Sequence, residues 1–384
     1  MKDLREYIEG YQDIQKEIEI SRKYGTDYAS QRGKQAEIIN RIHPAQLTLE
    51  VSAIIEETSS CKTLRLVSPN GYLPPFQAGQ YINLFVEIDG VRTSRPYSIS
   101  SSPRQRAYYD ITVRRIETGF VSDYLLDNVR AGDQFISSGP AGNFYYNPLY
   151  HGKDLVLLAG GSGVTPFMSM IREAVDAGLD RNIHLIYGSR TEDDVLFYEE
   201  LKTLAERSKR FTFDLVLSEP SSSFIGYKGL IGAELINQLV ESTNAKFYYI
   251  CGPQQMYEYC EAELQSMGIP ARKIRREMFG TATDITKEAG WPADLDPDQE
   301  FSVIVKGKKT ISAKAGEPLL IALERAGILV PVCCRSGECS LCRVKLLSGT
   351  VFQPRGVLIR ESDRKYGYIH SCKAYPLENM EISL

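Results

Sequence analysis

Histidine is scarce in this sequence, with four residues in 384. None of His43, His151, His184 and His370 stands at a metal-ligand spacing from another, so a zinc site of the H-E-x-x-H kind is absent. So is the Cys and His pairing of a Rieske centre, in which two histidines replace two cysteines on one iron. An excess of one charge is lacking too: 45 Lys and Arg face 49 Asp and Glu, a formal net charge of −4. That balance gives no electrostatic footprint for nucleic acid, and no block of like charges marks an interaction tail. No apolar run approaches the ~18 residues a membrane span needs. The opening Met1-Lys2-Asp3-Leu4-Arg5-Glu6 is charged and has no apolar core, unlike a signal peptide, which leads to the expectation of a cytoplasmic protein.

What is present is ordinary globular composition, 43% hydrophobic and 24% charged, which excludes wholesale disorder. At roughly 150 residues per domain, the length argues for two or three domains.

Four segments and a linker are expected. Residues 1–45 read as a helical extension: Leu4, Tyr7, Ile8, Tyr11, Ile14 and Ile18 recur every three or four positions. Such a stripe either packs on a neighbouring domain or docks a partner. Residues 46–148 carry short alternating runs at 47–54, 63–67, 81–88, 108–115 and 134–137, the rhythm of an antiparallel β-barrel or sandwich. Residues 149–279 alternate strands (154–158, 184–187, 211–217, 247–250) with helices, which predicts a doubly wound, parallel α/β sheet. Residues 280–298 are rich in Pro, Asp and Ala and read as a flexible linker. Residues 299–384 form a small α+β unit.

Five of the eight cysteines fall in the last 52 residues. Cys334, Cys339 and Cys342 stand at C-x4-C-x2-C, with Cys372 thirty positions on, the plant-type ligand spacing of a [2Fe–2S] cluster. A zinc ribbon would use two C-x2-C pairs, and only one is present. Gly337 allows the tight backbone that a cluster-wrapping loop requires. Cys333 does not fit the spacing and reads as a small buried residue.

Arg95-Pro96-Tyr97-Ser98 follows a β run and offers a cation for phosphate, a ring for stacking and a hydroxyl for a ring nitrogen. Arg114, near the end of the next run, joins it as a cofactor-binding candidate. Gly119-Phe120-Val121-Ser122 precedes a helix expected over 122–129, where backbone amides suit a second phosphate or Ser122 merely caps. Between strand and helix, Gly160-Gly161-Ser162-Gly163-Val164-Thr165-Pro166 suits a dinucleotide, although glycine turns also occur there as pure structure. Cys251-Gly252-Pro253 follows a strand at the crevice where such sheets bind ligand; an ordinary core thiol is the alternative.

These four motifs, in this order and followed by the ferredoxin-type cysteines, resemble the ferredoxin–NADP reductase superfamily fused to a plant-type ferredoxin. Similar architecture occurs in reductases serving phenylacetyl-CoA epoxidase, ketosteroid hydroxylase and hybrid-cluster protein. The resemblance covers residues 46–384 and implies an FAD-binding barrel, an NAD(P)-binding domain and a β-grasp ferredoxin domain. It implies that Arg95 holds flavin phosphate, Tyr97 stacks on the flavin, Ser98 approaches N5, and Gly119, Val121 and Ser122 take the FAD pyrophosphate. Gly160, Gly161, Gly163, Thr165, Pro166, Gly252 and Pro253 would hold the dinucleotide, with Cys251 beside the nicotinamide. Glu277 and Phe279 resemble the acid and aromatic at the flavin edge. Ser189-Arg190 suits the 2′-phosphate of NADPH, whereas Glu219 suits a ribose hydroxyl; the balance favours NADH. The implied activity is NAD(P)H-dependent reduction through FAD and [2Fe–2S] of a separate redox partner, an oxygenase or another terminal reductase. The alternative is direct reduction of a small acceptor such as a quinone or ferric chelate.

Overall fold

A computed structural model describes residues 10–25, 28–117, 119–278 and 284–384. The chain divides into two compact units, Met1–Ala45 and Gln46–Leu384. The first holds helices α1 (Tyr11–Tyr24) and α2 (Tyr28–Ile42). Helix α1 buries none of its residues and stops where Gly25 returns its N–H to Ser21. Leu4, Tyr7 and Ile8 of the expected stripe lie outside the described residues, while Ile14 and Ile18 are exposed.

The second unit begins with β1 (Leu47–Thr58), β2 (Cys61–Val67), β3 (Tyr81–Ile88), β4 (Val91–Ser98), β5 (Tyr109–Arg114), helix α3 (Phe120–Asp127) and β6 (Gln134–Ser137). The strands run antiparallel in the order β4-β3-β6-β1-β2-β5, and a bridge from Ile99 to Ile111 draws the two edges together into a barrel. Alternation fills its core: Leu49 and Val51, Leu64 and Leu66, Ile82 and Leu84, Ile111 and Val113 are all buried. Strand β4 is not among the runs expected from the sequence, and Pro96 lies inside it. Pro cannot donate to a ladder, but β4 sits at the end of the strand order, where no second neighbour needs that N–H.

Next come β7 (Asp154–Gly160), α4 (Val164–Asp176), β8 (Asn182–Ser189), α5 (Tyr198–Arg207), β9 (Phe211–Leu217), β10 (Tyr227–Lys228), α6 (Ala233–Leu239), β11 (Phe247–Cys251), α7 (Gln254–Ser266) and β12 (Ile274–Glu277). The sheet is parallel throughout, in the order β10-β9-β8-β7-β11-β12. Leu155, Leu157 and Ala159 face a core shared with α4 and α5, and Val156 and Leu158 face one shared with α6 and α7. The chain reverses direction across the sheet at β7, so the ends of β7 and β11 flank the switch-point crevice.

The last part holds β13 (Glu300–Val305), β14 (Thr310–Lys314), α8 (Leu319–Arg325), β15 (Arg343–Ser348), β16 (Val351–Phe352), α9 (Glu361–Lys365), β17 (Tyr368–His370), β18 (Tyr375–Pro376) and β19 (Met380–Ser383). Its mixed sheet, β14-β13-β19-β15-β17, grips α8 through Leu319, Leu320 and Leu323. This is the expected β-grasp arrangement.

The segment read as a flexible linker is packed where it is described. Trp291 stands edge-on to Phe352 at 5.4 Å and to Tyr375 at 6.4 Å, and Ile285 is buried. Glu288 accepts a bond from Gln254 of α7 at 2.5 Å. Composition misled here, because one tryptophan among Pro and Asp is enough to anchor a segment.

Candidate functional site

The cysteine loop is built on backbone turned left-handed at Arg335, Gly337 and Ser340. At Gly337 a Cβ would press on Val357 and Lys373, so both its φ and its surroundings favour glycine. The turns aim amide N–H groups at sulfur: Ser336 and Cys339 both donate to Cys334 Sγ at 3.4 Å. The four thiols fall into two pairs, Cys334 with Cys339 and Cys342 with Cys372, the second pair 3.2 Å apart. Hydrogen bonding, chiefly from Cys339, holds the Cys334 thiol below the usual thiol range. Two thiols for each of two irons is the donor set of a [2Fe–2S] cluster, and the residues fit that group.

The Arg-Pro-Tyr-Ser motif lies on β4, where Thr93, Arg95 and Tyr97 share one face by alternation. Ser98 is buried and opposite Tyr81 of β3 in the ladder. Tyr81 packs against Cys333 and Cys334 of the cluster loop. On its other side lies Gly142, where a Cβ would come 2.8 Å from the Tyr81 ring and 3.9 Å from Glu277 Oε1. Tyr81 therefore joins the flavin motif to the cluster loop, with Gly142 close to both its ring and Glu277, a position that alternation in β3 alone could not have distinguished from core. Arg95 bonds through Nη1 to Thr93 Oγ1 at 2.9 Å and to the Ser94 carbonyl at 2.7 Å. Burial and the neighbouring Arg335 lower it to about 10.

Ser122 is not a helix cap. Helix α3 begins two residues earlier, at Phe120 after Gly119, and Ser122 Oγ accepts the Ile116 N–H at 3.3 Å. Val121 and Ser122 are buried in the first turn. The Gly119 N–H is taken by the Ile116 carbonyl at 2.9 Å, so the amides at the open end of the helix are those from Phe120 to Ser122. Phe279 lies outside the described residues.

In the α/β crevice, Gly163 packs against the backbone of Cys251 and Gly252 so closely that no Cβ could be accommodated. The Arg114 guanidinium, reaching across from the barrel, stands against Gly161, with Nη2 3.8 Å from Asp194. Thr165 closes the turn by donating to the Ser162 carbonyl at 2.7 Å, and Pro166 is buried in the first turn of α4. Gly160 and Gly252 face one another and Met256, while Pro253 begins α7. Cys251 and Glu277 are register partners at the ends of β11 and β12. Burial, with Glu277 adding to it, holds the Cys251 thiol neutral. Burial, and then the charge of Glu338, raises the Glu277 carboxyl well above its usual value, and its Oε2 has no partner. A neutral acid with an open oxygen beside a neutral thiol fits the polar edge of a flavin and a nicotinamide amide.

Ser189-Arg190 and Ser218-Glu219 lie side by side: Ser218 donates its N–H to Ser189 at 3.1 Å and Glu219 to Arg190 at 2.8 Å. Ser189 Oγ is buried without a partner, and Arg190 pairs with Asp194 at 3.4 Å.

Residues 46–146 match the oxidoreductase FAD-binding domain, 157–262 the oxidoreductase NAD-binding domain and 303–377 the 2Fe-2S iron-sulfur cluster binding domain. A glycine betaine monooxygenase reductase subunit of Chromohalobacter salexigens is 30% identical over 346 residues, covering 86% of this chain and 93% of that protein. A 3-ketosteroid-9-alpha-monooxygenase ferredoxin reductase component of Mycolicibacterium smegmatis is 31% identical over 349 residues, covering 87% and 95%. Phthalate dioxygenase reductase, described as a modular structure for electron transfer from pyridine nucleotides to [2Fe-2S], superposes with a TM-score of 0.67 at 25% identity, covering 88% of this chain and 98% of that one. With three matching domains in the order the sequence motifs set out, the chain belongs to the ferredoxin–NADP reductase superfamily, among the FAD-, NAD- and [2Fe–2S]-dependent reductase components that pass electrons to a separate protein.

Proposed function

We propose that this reductase draws hydride from NADH and serves a terminal oxygenase, the partner class that its relatives' names carry. The observation that carries the reading is the junction at Tyr81, where the flavin strand, the Cys251–Glu277 pair and the cluster loop meet. Bound FAD supplies the conversion of a two-electron donation into single-electron transfers. Within that chemistry, the protein binds and orients. Arg95 neutralises flavin phosphate, Tyr97 stacks on the ring system and Ser98 faces its central nitrogen. The amides of Phe120 to Ser122, at the start of α3, hold the pyrophosphate, where the helix dipole favours negative charge. The Gly160–Pro166 turn, with Arg114 above it, takes the dinucleotide, and Cys251 excludes water from the nicotinamide face. Glu277 keeps a proton at the flavin edge. Glu219, beside Arg190, favours the ribose hydroxyls of NADH over the phosphate of NADPH.

The partner docks at the ferredoxin domain, where Leu341 is exposed beside Cys342, or along the exposed Ile14 and Ile18 of α1. Anaerobic titration with NADH, followed by optical and low-temperature EPR spectra, tests the reading. Bleaching of flavin with a one-electron [2Fe–2S] signal is expected; bleaching with no cluster signal at full iron occupancy would overturn it. Removal of residues 1–45 with unchanged dye reduction but lost partner binding would place docking on the helices.

A further inference from the structure

Three charged side chains and one hydroxyl meet where the ferredoxin domain covers the barrel. Thr93 Oγ1 donates to Glu324 Oε2 at 2.9 Å. It accepts from Arg95 Nη1 at 2.9 Å and from Arg335 Nη2 at 3.1 Å. Arg335 also pairs with Glu324, and both are more than nine-tenths buried. Arg335 belongs to the loop between Cys334 and Cys339; Thr93 and Arg95 belong to the flavin strand.

The charges at this junction do not cancel. Two guanidiniums share one carboxylate, and Nε of the buried Arg335 has no partner. An uncompensated buried charge is costly, and a bound anion removes the cost.

Alternation says which anion. Thr93, Arg95 and Tyr97 lie on one face of β4, spaced by two residues or about 7 Å. A flavin stacked at Tyr97 extends its phosphate along this face toward Arg95, and the next position on the same face is the one Arg335 contacts. We propose that Arg335 of the cluster loop completes the flavin-phosphate site begun by Arg95, so that the cluster-bearing domain itself holds part of the flavin. The proposal rests on the assignment of Arg95 to flavin phosphate. Flavin binding and seating of the ferredoxin domain are then reciprocally coupled.

The test is reconstitution of the deflavinated, cluster-containing full chain with FAD and with riboflavin, which lacks phosphate, read by flavin fluorescence quenching. In Arg335→Gln, loss of a charge-assisted pair of hydrogen bonds should weaken FAD about tenfold or more, with riboflavin unchanged and the cluster spectrum intact. Arg335→Lys, which keeps the charge without the fork, should weaken FAD less, and it carries the test if the glutamine variant fails to assemble its cluster. Equal weakening of FAD and riboflavin, or a change in cluster potential with flavin affinity unmoved, would overturn the proposal. Arg95→Gln separates the two ideas. If it weakens FAD while Arg335→Gln does not, the assignment of Arg95 stands and the proposal fails. If neither weakens FAD, both fail.

Discussion

Gly163 leaves no room for a Cβ against the carbonyl oxygen of Cys251, so the nucleotide turn and the strand end that carries the thiol are in direct backbone contact. Gly163→Ala must push the two apart. Overpacking of this kind costs about 1–3 kcal/mol, and the damage falls on the crevice. KM for NADH should rise markedly while the flavin and cluster spectra stay unchanged. A normal KM in a folded variant would show that the crevice does not take the nicotinamide dinucleotide.

Cys251 is fully buried and neutral, so its part is shape and water exclusion rather than acid–base work. Cys251→Ala should slow flavin reduction by about 10²-fold, the scale of a misplacement near 1 Å, with FAD still bound. Stopped-flow reduction at the wild-type rate would remove Cys251 from the site.

Glu219 lies hydrogen-bonded through its N–H to Arg190. Glu219→Arg replaces repulsion of a 2′-phosphate with attraction. Selectivity, measured as the ratio of kcat/KM for NADPH to that for NADH, should rise at least about tenfold by that exchange of sign. An unchanged ratio would mean that the adenosine ribose sits elsewhere.

Glu277 carries a pH signature. Unfolded, its carboxyl titrates near 4.5; folded, burial and Glu338 hold it protonated well above that. Above pH 4.5 the unfolded chain therefore releases a proton that the folded protein retains, and stability falls as pH rises toward the folded pKa. Glu277→Gln removes this loss. The variant's apparent Tm should match the wild type in acid and exceed it increasingly toward neutrality; a constant difference across pH would contradict the buried protonated acid.

Cys372→Ser should abolish the cluster signal, because it leaves one of the two thiol pairs incomplete. NADH-dependent dye reduction through the flavin should persist while single-electron delivery to a protein acceptor is lost. Loss of both activities together would place the dye's electrons on the cluster path.

Much of this was readable before any coordinates. The spacing of Cys334, Cys339 and Cys342 was legible because one short loop carries all three, while Cys372, thirty positions on, joined them only as the fourth member of a ferredoxin-type pattern. The four reductase motifs were legible because each lies at the end of a strand or the start of a helix, where local sequence decides the turn. Strand β4 was not, since Pro96 argues against a strand unless the strand's place at the edge is known. Tyr81, Thr93 and Arg335 were illegible as site residues: each becomes one only when segments as far apart as 242 positions are brought together. Long-range contacts of that kind leave no periodicity to read.

The anchoring of Trp291 on Phe352 and Tyr375, together with the contacts of Glu324 and Arg335 with Thr93 of the barrel, has a kinetic consequence. A carrier domain held in place does not ferry charge by swinging, so the moving body in this relay is the acceptor. Flux through the relay should then scale with acceptor concentration and ionic strength, as diffusional encounters do. Slowing internal motion with a viscous cosolvent should leave the flavin-to-cluster step unaltered.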